Sequence, residues 1–288
     1  MKKRIVFVLN NLQYADGVAK VLVELCNFLD ENLFDITIIP IYRCDSDFIK
    51  LLKPTIHIQK TLGFYFRGLD KIVNALPIRF LYQKIVGGNY DIEVAFQYGL
   101  ATRMIANSTN RNAIHYAWMH GYDEGLTLRN EYPKFDKVFC VSKFNEERLR
   151  KESNGTVNVE CCYNIIDESK ILEASKEKIS EVSSRKPVFV AVGRQTPEKG
   201  FLRLVDVVNR LKKDGYDFTL WLIGDGVEHQ QLVDKVNSEQ LEDTVKLLGI
   251  QSNPHKFTSK ADVFICSSFS EGYSTACAEA ILQGIPVI

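Results

Sequence analysis

Short apolar runs rich in β-branched residues alternate with amphipathic segments along the chain. Such apolar runs predict buried strands, and the amphipathic segments between them predict helices, so the rhythm indicates mostly parallel sheets. Val18, Val21, Leu22 and Leu25 recur at helical spacing behind Asp16, a residue type that caps helices. In the first half the predicted strands are 4–10, 35–42, 56–60, 91–98, 112–119, 137–142 and 158–164.

A second series of strands and helices begins at Pro187. The polar segment 167–186 shows no strand pattern, so we expect a linker with some helix there. The sequence thus predicts an α/β protein of two Rossmann-like doubly wound domains, 1–166 and 187–288, with ligands at the carboxyl ends of the strands. The second series comprises predicted strands 187–193, 218–224, 245–249, 261–268 and 285–288, and predicted helices 200–213, 227–237 and 274–282.

Charge and composition narrow the function classes. The 288 residues include 36 Lys or Arg and 36 Asp or Glu, so no net field favours nucleic acid. The apolar run 5–9 is too short for a signal-peptide core, and no stretch approaches the ~20 apolar residues of a membrane span. Seven cysteines without a CxxC pair favour reduced core residues over disulfides or zinc. We therefore expect a cytoplasmic protein.

The segment GRQTPEKGF contains candidate phosphate-binding residues. Gly193 closes a predicted strand, Arg194 and Lys199 follow, and Gly200 opens a predicted helix. A glycine turn before a helix exposes backbone N–H groups, and two cations can neutralise a phosphate chain. Taken alone, the loop is as well explained by solvated charges. It is not a P-loop, because it lacks the GxxxxGK[ST] pattern.

The segment EGYSTACAEAILQGIPVI adds two carboxylates, Glu271 and Glu279, eight positions apart. Glu271 precedes a predicted helix whose first N–H groups, around Ser274 and Thr275, form a seat for an anion. Glu279 lies inside that helix. Each carboxylate can accept hydrogen bonds from sugar hydroxyls. The plainer alternatives are a solvated helix residue for Glu279 and a favourable charge at a helix start for Glu271.

In the order GRQTPEKG, IGDG, LLG and SEGYSTACAEAILQGIPVI, the sequence resembles retaining glycosyltransferase family 4, the "glycosyl transferases group 1" of GT-B fold. The resemblance covers nearly the entire chain, although the first half matches mainly in layout. DGVAKVL is similar to the family's Gly-Gly loop, with Asp16 in place of one glycine, and Asn164 and Asp167 are similar to its Asn-x-x-Asp. Family members continue past Gly-x-Pro-Val, so we expect this chain to be C-terminally incomplete and weakly active.

The resemblance implies a role for each matching residue. A nucleoside diphosphate would be held by cations, a glycine and backbone amides, its ribose and base by two further residues, and the donor sugar by a carboxylate and a histidine. These are Arg194, Lys199, Gly17, Tyr273, Ser274 and Thr275 for the diphosphate, Glu279 and Ile250 for the ribose and base, and Glu271 and His120 as catalytic residues on the sugar.

The implied reaction moves a hexose-type sugar from a nucleotide sugar, with UDP the commonest base, to a saccharide or lipid-linked saccharide in cell-surface polysaccharide synthesis. No cofactor is implied. No Asp-x-Asp pair directly follows a predicted strand, so we predict no metal. A dehydrogenase is disfavoured, because GxGxxG does not follow the first strand. A GT-B sugar-nucleotide epimerase, a phosphorylase and an inactive nucleotide-sugar-binding fragment remain alternatives.

The stretch 50–86 offers a candidate membrane contact. Its basic residues outnumber its single acidic residue, Asp70, and aromatic residues lie between them. Such a surface suits anionic lipid at the inner face of the cell membrane. A helix with its aromatic residues packed inward explains the pattern equally well. The stretch contains Lys50, Lys53, Lys60, Arg67, Lys71, Arg79 and Lys84, with Phe64, Tyr65, Phe66, Phe80 and Tyr82.

Overall fold

The computed structural model describes residues 1–13, 17–62, 66, 69–121, 130–179, 182 and 184–288, apart from the side chains of 70, 71 and 74. The chain divides into two compact units, Met1–Ile165 and Ile166–Ile288. Each is built on a parallel sheet, as the alternation of apolar and amphipathic segments predicts. Within the described residues, no helix is both long and apolar enough to cross a membrane.

The first unit contains a sheet of seven described strands in the order β3-β2-β1-β4-β5-β6-β7, all paired in parallel. The strands are β1 (Lys3–Leu12), β2 (Phe34–Cys44), β3 (His57–Ile58), β4 (Ile92–Ala95), β5 (Ile114–Met119), β6 (Lys137–Cys140) and β7 (Val159–Cys161). The helices are α1 (Gly17–Phe28), α2 (Ser46–Ile49), α3 (Leu69–Ala75), α4 (Ile78–Ile85), α5 (Leu100–Ile105) and α6 (Lys143–Glu152).

Alternation along β4 assigns its side chains to the two faces of this sheet. Ala95 packs in one buried cluster, together with residues of α4 and α5, and Val94 packs in another with residues of α1. A core on both faces explains why the strands are continuous apolar runs rather than half-polar ones. Of the aromatic residues predicted along 50–86, Tyr82 is buried, whereas Phe80 is about half exposed.

The described residues of the second unit form four strands in the order β10-β9-β8-β11. The predicted strand 261–268 is largely wrong, because only Val263–Phe264 is regular and the chain then becomes a loop. Val287 forms an isolated parallel bridge with Phe264. The elements are α7 (Glu168–Ala174), β8 (Val188–Val192), α8 (Phe201–Lys213), β9 (Thr219–Ile223), α9 (His229–Ser238), β10 (Val245–Gly249), α10 (His255–Thr258), β11 (Val263–Phe264) and α11 (Thr275–Leu282).

Part of the predicted linker belongs to this second unit. Helix α7 begins after Asp167, whose side chain caps it by accepting a hydrogen bond from the N–H of Lys170. Asn253 Nδ2 donates to the carbonyl of Ala174 at 2.8 Å, which ties the end of α7 to the segment before α10. The helix expected within 167–186 is therefore packed rather than solvated. The resemblance also implies that 1–166 is the acceptor-side domain and 187–288 the nucleotide-sugar-binding domain, and these roles stay predictions.

Candidate functional site

Two glycine-containing loops meet where β8 and β9 end. A Cβ at Gly224 would lie 1.9 Å from the carbonyl oxygen of Gly193, and one at Gly226 would lie 2.4 Å from that of Gln195. No side chain fits either gap, so the close approach of the two loops requires glycine at both positions. This is the physical reason for the glycines that the sequence places after these strands.

A buried glutamine joins these loops. Gln195 is fully buried, its Nε2 donates to the carbonyl of Gly224 at 3.0 Å, and its Oε1 lies 2.7 Å from Nδ1 of His229. Its backbone N–H also donates to the carbonyl of Asp225 at 2.8 Å. Neither Gln195 nor His229 is predictable from the sequence, because a polar residue in or beside a loop gives no signal of burial. The glutamine fixes the path of the chain between Arg194 and Lys199.

The next part of the same loop is attached to the segment after β11. Gly200 has φ +66°, and a Cβ there would lie 2.5 Å from the carbonyl oxygen of Ser267. Ser267 Oγ donates to the carbonyl of Lys199 at 2.8 Å. The N–H of Phe269 donates to the carbonyl of Glu198, also at 2.8 Å. Lys199 therefore starts from a backbone held directly against the loop that carries Glu271.

The side chains of Lys199 and Glu271 form an ion pair. Lys199 Nζ lies 2.7 Å from Oε1 of Glu271, and Ser268 Oγ donates to that same oxygen at 2.6 Å. The two charged side chains are 23% and 27% exposed, so the pair is reachable from solvent yet mostly enclosed. A cation and a carboxylate are thus placed together at the carboxyl end of the sheet, while their roles toward a donor stay predictions.

Arg194 takes a different position. Its guanidinium is 60% exposed, and its Nη2 lies 3.7 Å from Oε1 of Glu198, one turn along the loop. Hydrogen bonds from its own backbone N–H and from Thr196 hold the pKa of Glu198 below its usual value, so this partner stays ionised. A pair this long and exposed is weak, so an incoming anion can displace it at small cost.

Helix α11 begins beside the ion pair. Ser274 is its N-cap, and its Oγ accepts from the N–H of Cys277 at 3.4 Å. Thr275 is the first helical residue, and the half-buried Tyr273 precedes the cap. The first N–H groups of an α-helix lack partners within it, and they carry the positive end of its dipole. The predicted anion seat therefore lies within a few residues of Glu271.

Glu279 lies deeper in the same helix, facing α10. Its carboxylate is 12% exposed, and its Oε2 lies 3.9 Å from Nδ1 of His255, which is 15% exposed. His255 is not predictable as a site residue, because nothing in the sequence pattern separates it from the other histidines. Ile250 follows Gly249 at the end of β10 and is 66% exposed. Its apolar side chain is therefore available at the strand end where a base is expected.

The first unit holds two predicted site residues. Gly17 begins α1 and is exposed, and a Cβ there would meet nothing within 4 Å. Asp16, the predicted cap, lies outside the described residues. His120 follows β5, and its Nε2 lies 3.0 Å from the carbonyl of Phe96. Burial lowers the pKa of His120 to about 4, so at neutral pH the uncharged ring donates from Nε2 and leaves Nδ1 as an acceptor.

An Asp-x-Asp pair follows β2, although its absence after a strand was the reason for predicting no metal. β2 extends to Cys44, two residues beyond the predicted strand, so Asp45 and Asp47 form an Asp-x-Asp pair directly after it. Asp47 accepts a hydrogen bond from Lys50 Nζ at 2.7 Å. Among the described residues, no group of three or more His, Cys, Asp or Glu side chains could hold a metal ion. Metal independence stays a prediction.

Residues 173–288 match the family described as "Glycosyl transferases group 1". A Campylobacter jejuni N-acetylgalactosamine-N,N'-diacetylbacillosaminyl-diphospho-undecaprenol 4-alpha-N-acetylgalactosaminyltransferase is 26% identical over 252 residues, 85% of this chain and 67% of the relative. An uncharacterized glycosyltransferase of Methanocaldococcus jannaschii is 30% identical over 185 residues, 59% of this chain and 45% of the relative. These matches support a glycosyltransferase family for the chain.

The fold is also that of known glycosyltransferases. The structure of Staphylococcus aureus TarM in complex with Fondaparinux, alpha-GlcNAc-glycerol and UDP superimposes with a TM-score of 0.74, over 99% of this chain and 85% of that one, at 12% identity. Identity this low shows the fold alone. The chain thus has a GT-B type of fold, with a parallel-sheet α/β architecture in each of its two units.

Proposed function

We propose that this protein is a retaining glycosyltransferase of family 4. It moves a hexose-type sugar from a UDP sugar to a saccharide or lipid-linked saccharide acceptor in cell-surface polysaccharide synthesis. The observation that carries the proposal is the contact of Lys199 with Glu271, beside the start of α11, within the segment that matches the family. The UDP in the TarM complex and the lipid-linked substrate named for the Campylobacter relative support the choice of donor and acceptor class.

The chemistry asks mainly for stabilisation of a leaving diphosphate as the anomeric bond breaks. In the proposal, Lys199 and Arg194 meet the developing negative charge, and the amides at the start of α11 add fixed dipoles. The weak, exposed pair of Arg194 with Glu198 leaves the guanidinium able to turn toward phosphate. Gly17 is assigned to the same diphosphate, as the resemblance to the family implies.

The two ends of the donor are assigned to different groups. Glu279 accepts hydrogen bonds from the ribose hydroxyls, and Ile250 lies against the base. Glu271 and the neutral His120 accept hydrogen bonds from hydroxyls of the transferred sugar. In a front-face reaction, the departing phosphate oxygen takes the proton of the acceptor hydroxyl as the new bond forms on the side that the leaving group vacates. The sugar thus keeps its anomeric configuration without a metal or a cofactor.

Donor binding is the first test. We expect UDP to bind the wild-type protein in a calorimetric titration, and Lys199→Ala and Arg194→Ala each to weaken binding by roughly tenfold to a hundredfold, since each removes a charged hydrogen-bonding partner. Lys213→Ala is the matched control, because it removes an exposed cation in the last turn of α8. Equal affinity of all four proteins for UDP would refute the diphosphate site.

Turnover is the second test. The protein is incubated with a panel of UDP sugars, with and without lipid-linked saccharide acceptors, and the anomeric configuration of the product is read by NMR. Transfer with retention that persists in EDTA supports the proposal. Inversion would contradict the retaining mechanism, and loss of activity in EDTA would contradict metal independence. Conversion of the donor without an acceptor would identify an epimerase instead.

A lipid-linked acceptor also requires approach to a membrane, and the first unit has a surface suited to it. Phe66 and Phe80 are 51% and 49% exposed, Lys84 Nζ lies 5.9 Å from the Phe80 ring, and Lys53 and Arg79 are exposed nearby in sequence. We propose that this surface rests on anionic lipid, where each cation adds about 1 kcal/mol. The predicted contributions of Phe64, Tyr65, Arg67 and Lys71 fall outside the described residues or side chains.

Vesicle sedimentation tests this contact. We expect binding to vesicles containing phosphatidylserine, weaker binding to pure phosphatidylcholine, and a loss of about tenfold in Lys53→Glu/Lys84→Glu. Lys213→Glu, which reverses one exposed charge on the second unit, should bind like the wild type. Equal binding to both kinds of vesicle, or no effect of the double variant, would reject an electrostatic membrane surface.

A further inference from the structure

The carboxylate of Glu271 is held from one side only. Lys199 Nζ and Ser268 Oγ both bond to Oε1, at 2.7 and 2.6 Å. In the described part of the chain, no residue makes a hydrogen bond to Oε2. A carboxylate oxygen can accept more than one hydrogen bond, so Oε1 is saturated by protein while Oε2 keeps its full capacity for a ligand. The side chain is 27% exposed, so this second oxygen can be reached.

Two adjacent serines, Ser267 and Ser268, each hold one residue of the ion pair. Ser267 Oγ donates to the backbone carbonyl of Lys199 at 2.8 Å, which fixes the origin of the lysine side chain. Ser268 donates its single hydroxyl proton to Glu271. The lysine is thus held through its main chain and the glutamate through its carboxylate. If the bond between the two side chains breaks, each residue keeps its hydrogen bond to a serine.

We propose that Ser268 is a positioning residue for the donor sugar. Resting on the function proposed above, it holds Oε1 of Glu271 when Lys199 transfers its hydrogen bonds to the diphosphate, and so keeps Oε2 aimed at a sugar hydroxyl. A neutral hydroxyl gains little by turning to phosphate compared with an ammonium group, because it carries no charge to be neutralised. Ser268 therefore stays with the glutamate when the lysine leaves.

If Ser268 has this role, Lys199 and Ser268 contribute to the binding of different parts of the donor, the diphosphate and the sugar. Lys199 acts on the diphosphate, which UDP and a UDP sugar share, whereas Ser268 acts only through Glu271 on the sugar. Loss of Ser268 should weaken the UDP sugar and leave UDP unaffected. A serine that merely maintains the fold of the loop would affect both ligands equally, because α11 and Lys199 depend on the same loop.

The experiment is a calorimetric comparison of UDP with UDP-glucose, UDP-galactose and UDP-N-acetylgalactosamine, using the sugar that binds wild type tightest. We expect Ser268→Ala to bind UDP within about twofold of wild type and the UDP sugar about tenfold more weakly, the effect of one lost hydrogen bond to a charged group. Ser268→Thr keeps the hydroxyl and should restore most of the loss. Ser270→Ala, an exposed serine of the same loop, should match wild type.

Each other outcome has a defined meaning. Equal weakening of UDP and UDP sugar in Ser268→Ala, or no weakening of either, overturns the positioning role while leaving the proposed function intact. If Lys199→Ala binds UDP like the wild type, or the wild type binds neither ligand, the proposed function fails and the role of Ser268 fails with it. Thermal unfolding of each variant, followed by circular dichroism, separates these results from loss of the folded state.

Discussion

Glu93 in the first unit and Glu271 in the second are both carboxylates with hydrogen-bonded partners. They differ in whether the second carboxylate oxygen is accessible to a ligand. Glu93 is fully buried at the amino end of β4. Tyr82 and Asn110 donate to its Oε1 at 2.7 and 3.1 Å, and His115 Nε2 lies 3.4 Å from Oε2. Burial alone would raise its pKa, but these hydrogen bonds hold the pKa of Glu93 below its usual value.

Glu271 stands at the opposite, carboxyl end of its sheet, with one oxygen saturated and the other accessible. A carboxylate that is fully buried, with hydrogen-bond donors on one oxygen and a histidine ring near the other, contributes to the folded state, because removing it strands buried partners. A carboxylate that is only half satisfied and reachable from solvent has capacity for a ligand. Each acid accepts two hydrogen bonds at Oε1, so the structural acid is distinguished from the binding acid by whether its second oxygen is buried or accessible.

Replacing each acid by leucine should give the largest difference between the two sites, measured as a loss in the free energy of unfolding. Glu93→Leu leaves the buried Tyr82 hydroxyl without its acceptor and removes one of two acceptors from the Asn110 amide, so we expect a loss of about 3 kcal/mol in the free energy of unfolding. Glu271→Leu should cost less than about 1 kcal/mol, because its partners can turn to water. Urea unfolding followed by circular dichroism measures both. Similar losses in the two variants would show that the distinction is wrong.

Acid should destabilise the first unit through His120. Its pKa is lowered from 6.5 to about 4 by burial, so the unfolded chain takes up a proton below pH 6.5 that the folded ring refuses until about pH 4. Between these values we expect stability to fall by at most about 3 kcal/mol. Glu93 adds a further loss once the pH falls below 4.5, the ordinary pKa of a glutamate, because its pKa in the folded protein is lower.

Urea unfolding at a series of pH values checks this. His120→Asn should be less sensitive to pH between 6.5 and 4, and His57→Asn, at an exposed histidine of β3, is the control. If His120→Asn and the wild type lose stability in parallel over that interval, the buried ring is not the cause.

Gly200→Ala probes the backbone contact that brings Lys199 to Glu271. The new Cβ would lie 2.5 Å from the carbonyl of Ser267, and φ +66° is unfavourable for alanine, so we expect a loss of about 2 kcal/mol in stability together with weaker UDP binding. Gly215→Ala is a matched control, since φ is +87° there but nothing lies within 4 Å. An equal stability loss in both variants would mean that strain alone, and not the contact, is responsible.

The smallest expected effect is a gain. Glu271→Gln removes the negative charge that occupies Lys199, so UDP no longer competes with a carboxylate and should bind about threefold more tightly at low salt. The UDP sugar should not share this gain, because its hydroxyl loses a charged acceptor. Calorimetry at two salt concentrations measures both ligands. Weaker binding of UDP to this variant would imply that the ion pair organises the diphosphate site rather than blocking it.

The regular elements were largely predictable, since β1, β2, β8 and α8 follow from apolar runs of the right period. The predicted strand 261–268 is regular only over Val263–Phe264, and Ser267 instead bonds to the carbonyl of Lys199. Strand patterns depend on neighbouring residues, whereas this bond links residues 68 positions apart.

The candidate site was predictable in its residue types more than in its geometry. The resemblance assigned Lys199 and Glu271 to different parts of one donor, and their direct contact across 72 positions was not predicted. Gln195 could not be found, because its burial depends on Gly224 and His229, which are 29 and 34 positions away. Buried polar residues in loops are recognised only once their partners are known.

Gln195 also limits how this protein can be re-engineered. Its side chain spans the loops after β8 and β9 and the first turn of α9, so those three segments share one set of hydrogen bonds. Grafting any one of them from another enzyme to alter donor preference would strand a buried amide. Segments 193–200 and 224–229 should therefore be transplanted as a block, which makes the pair, and not the single loop, the natural unit of exchange.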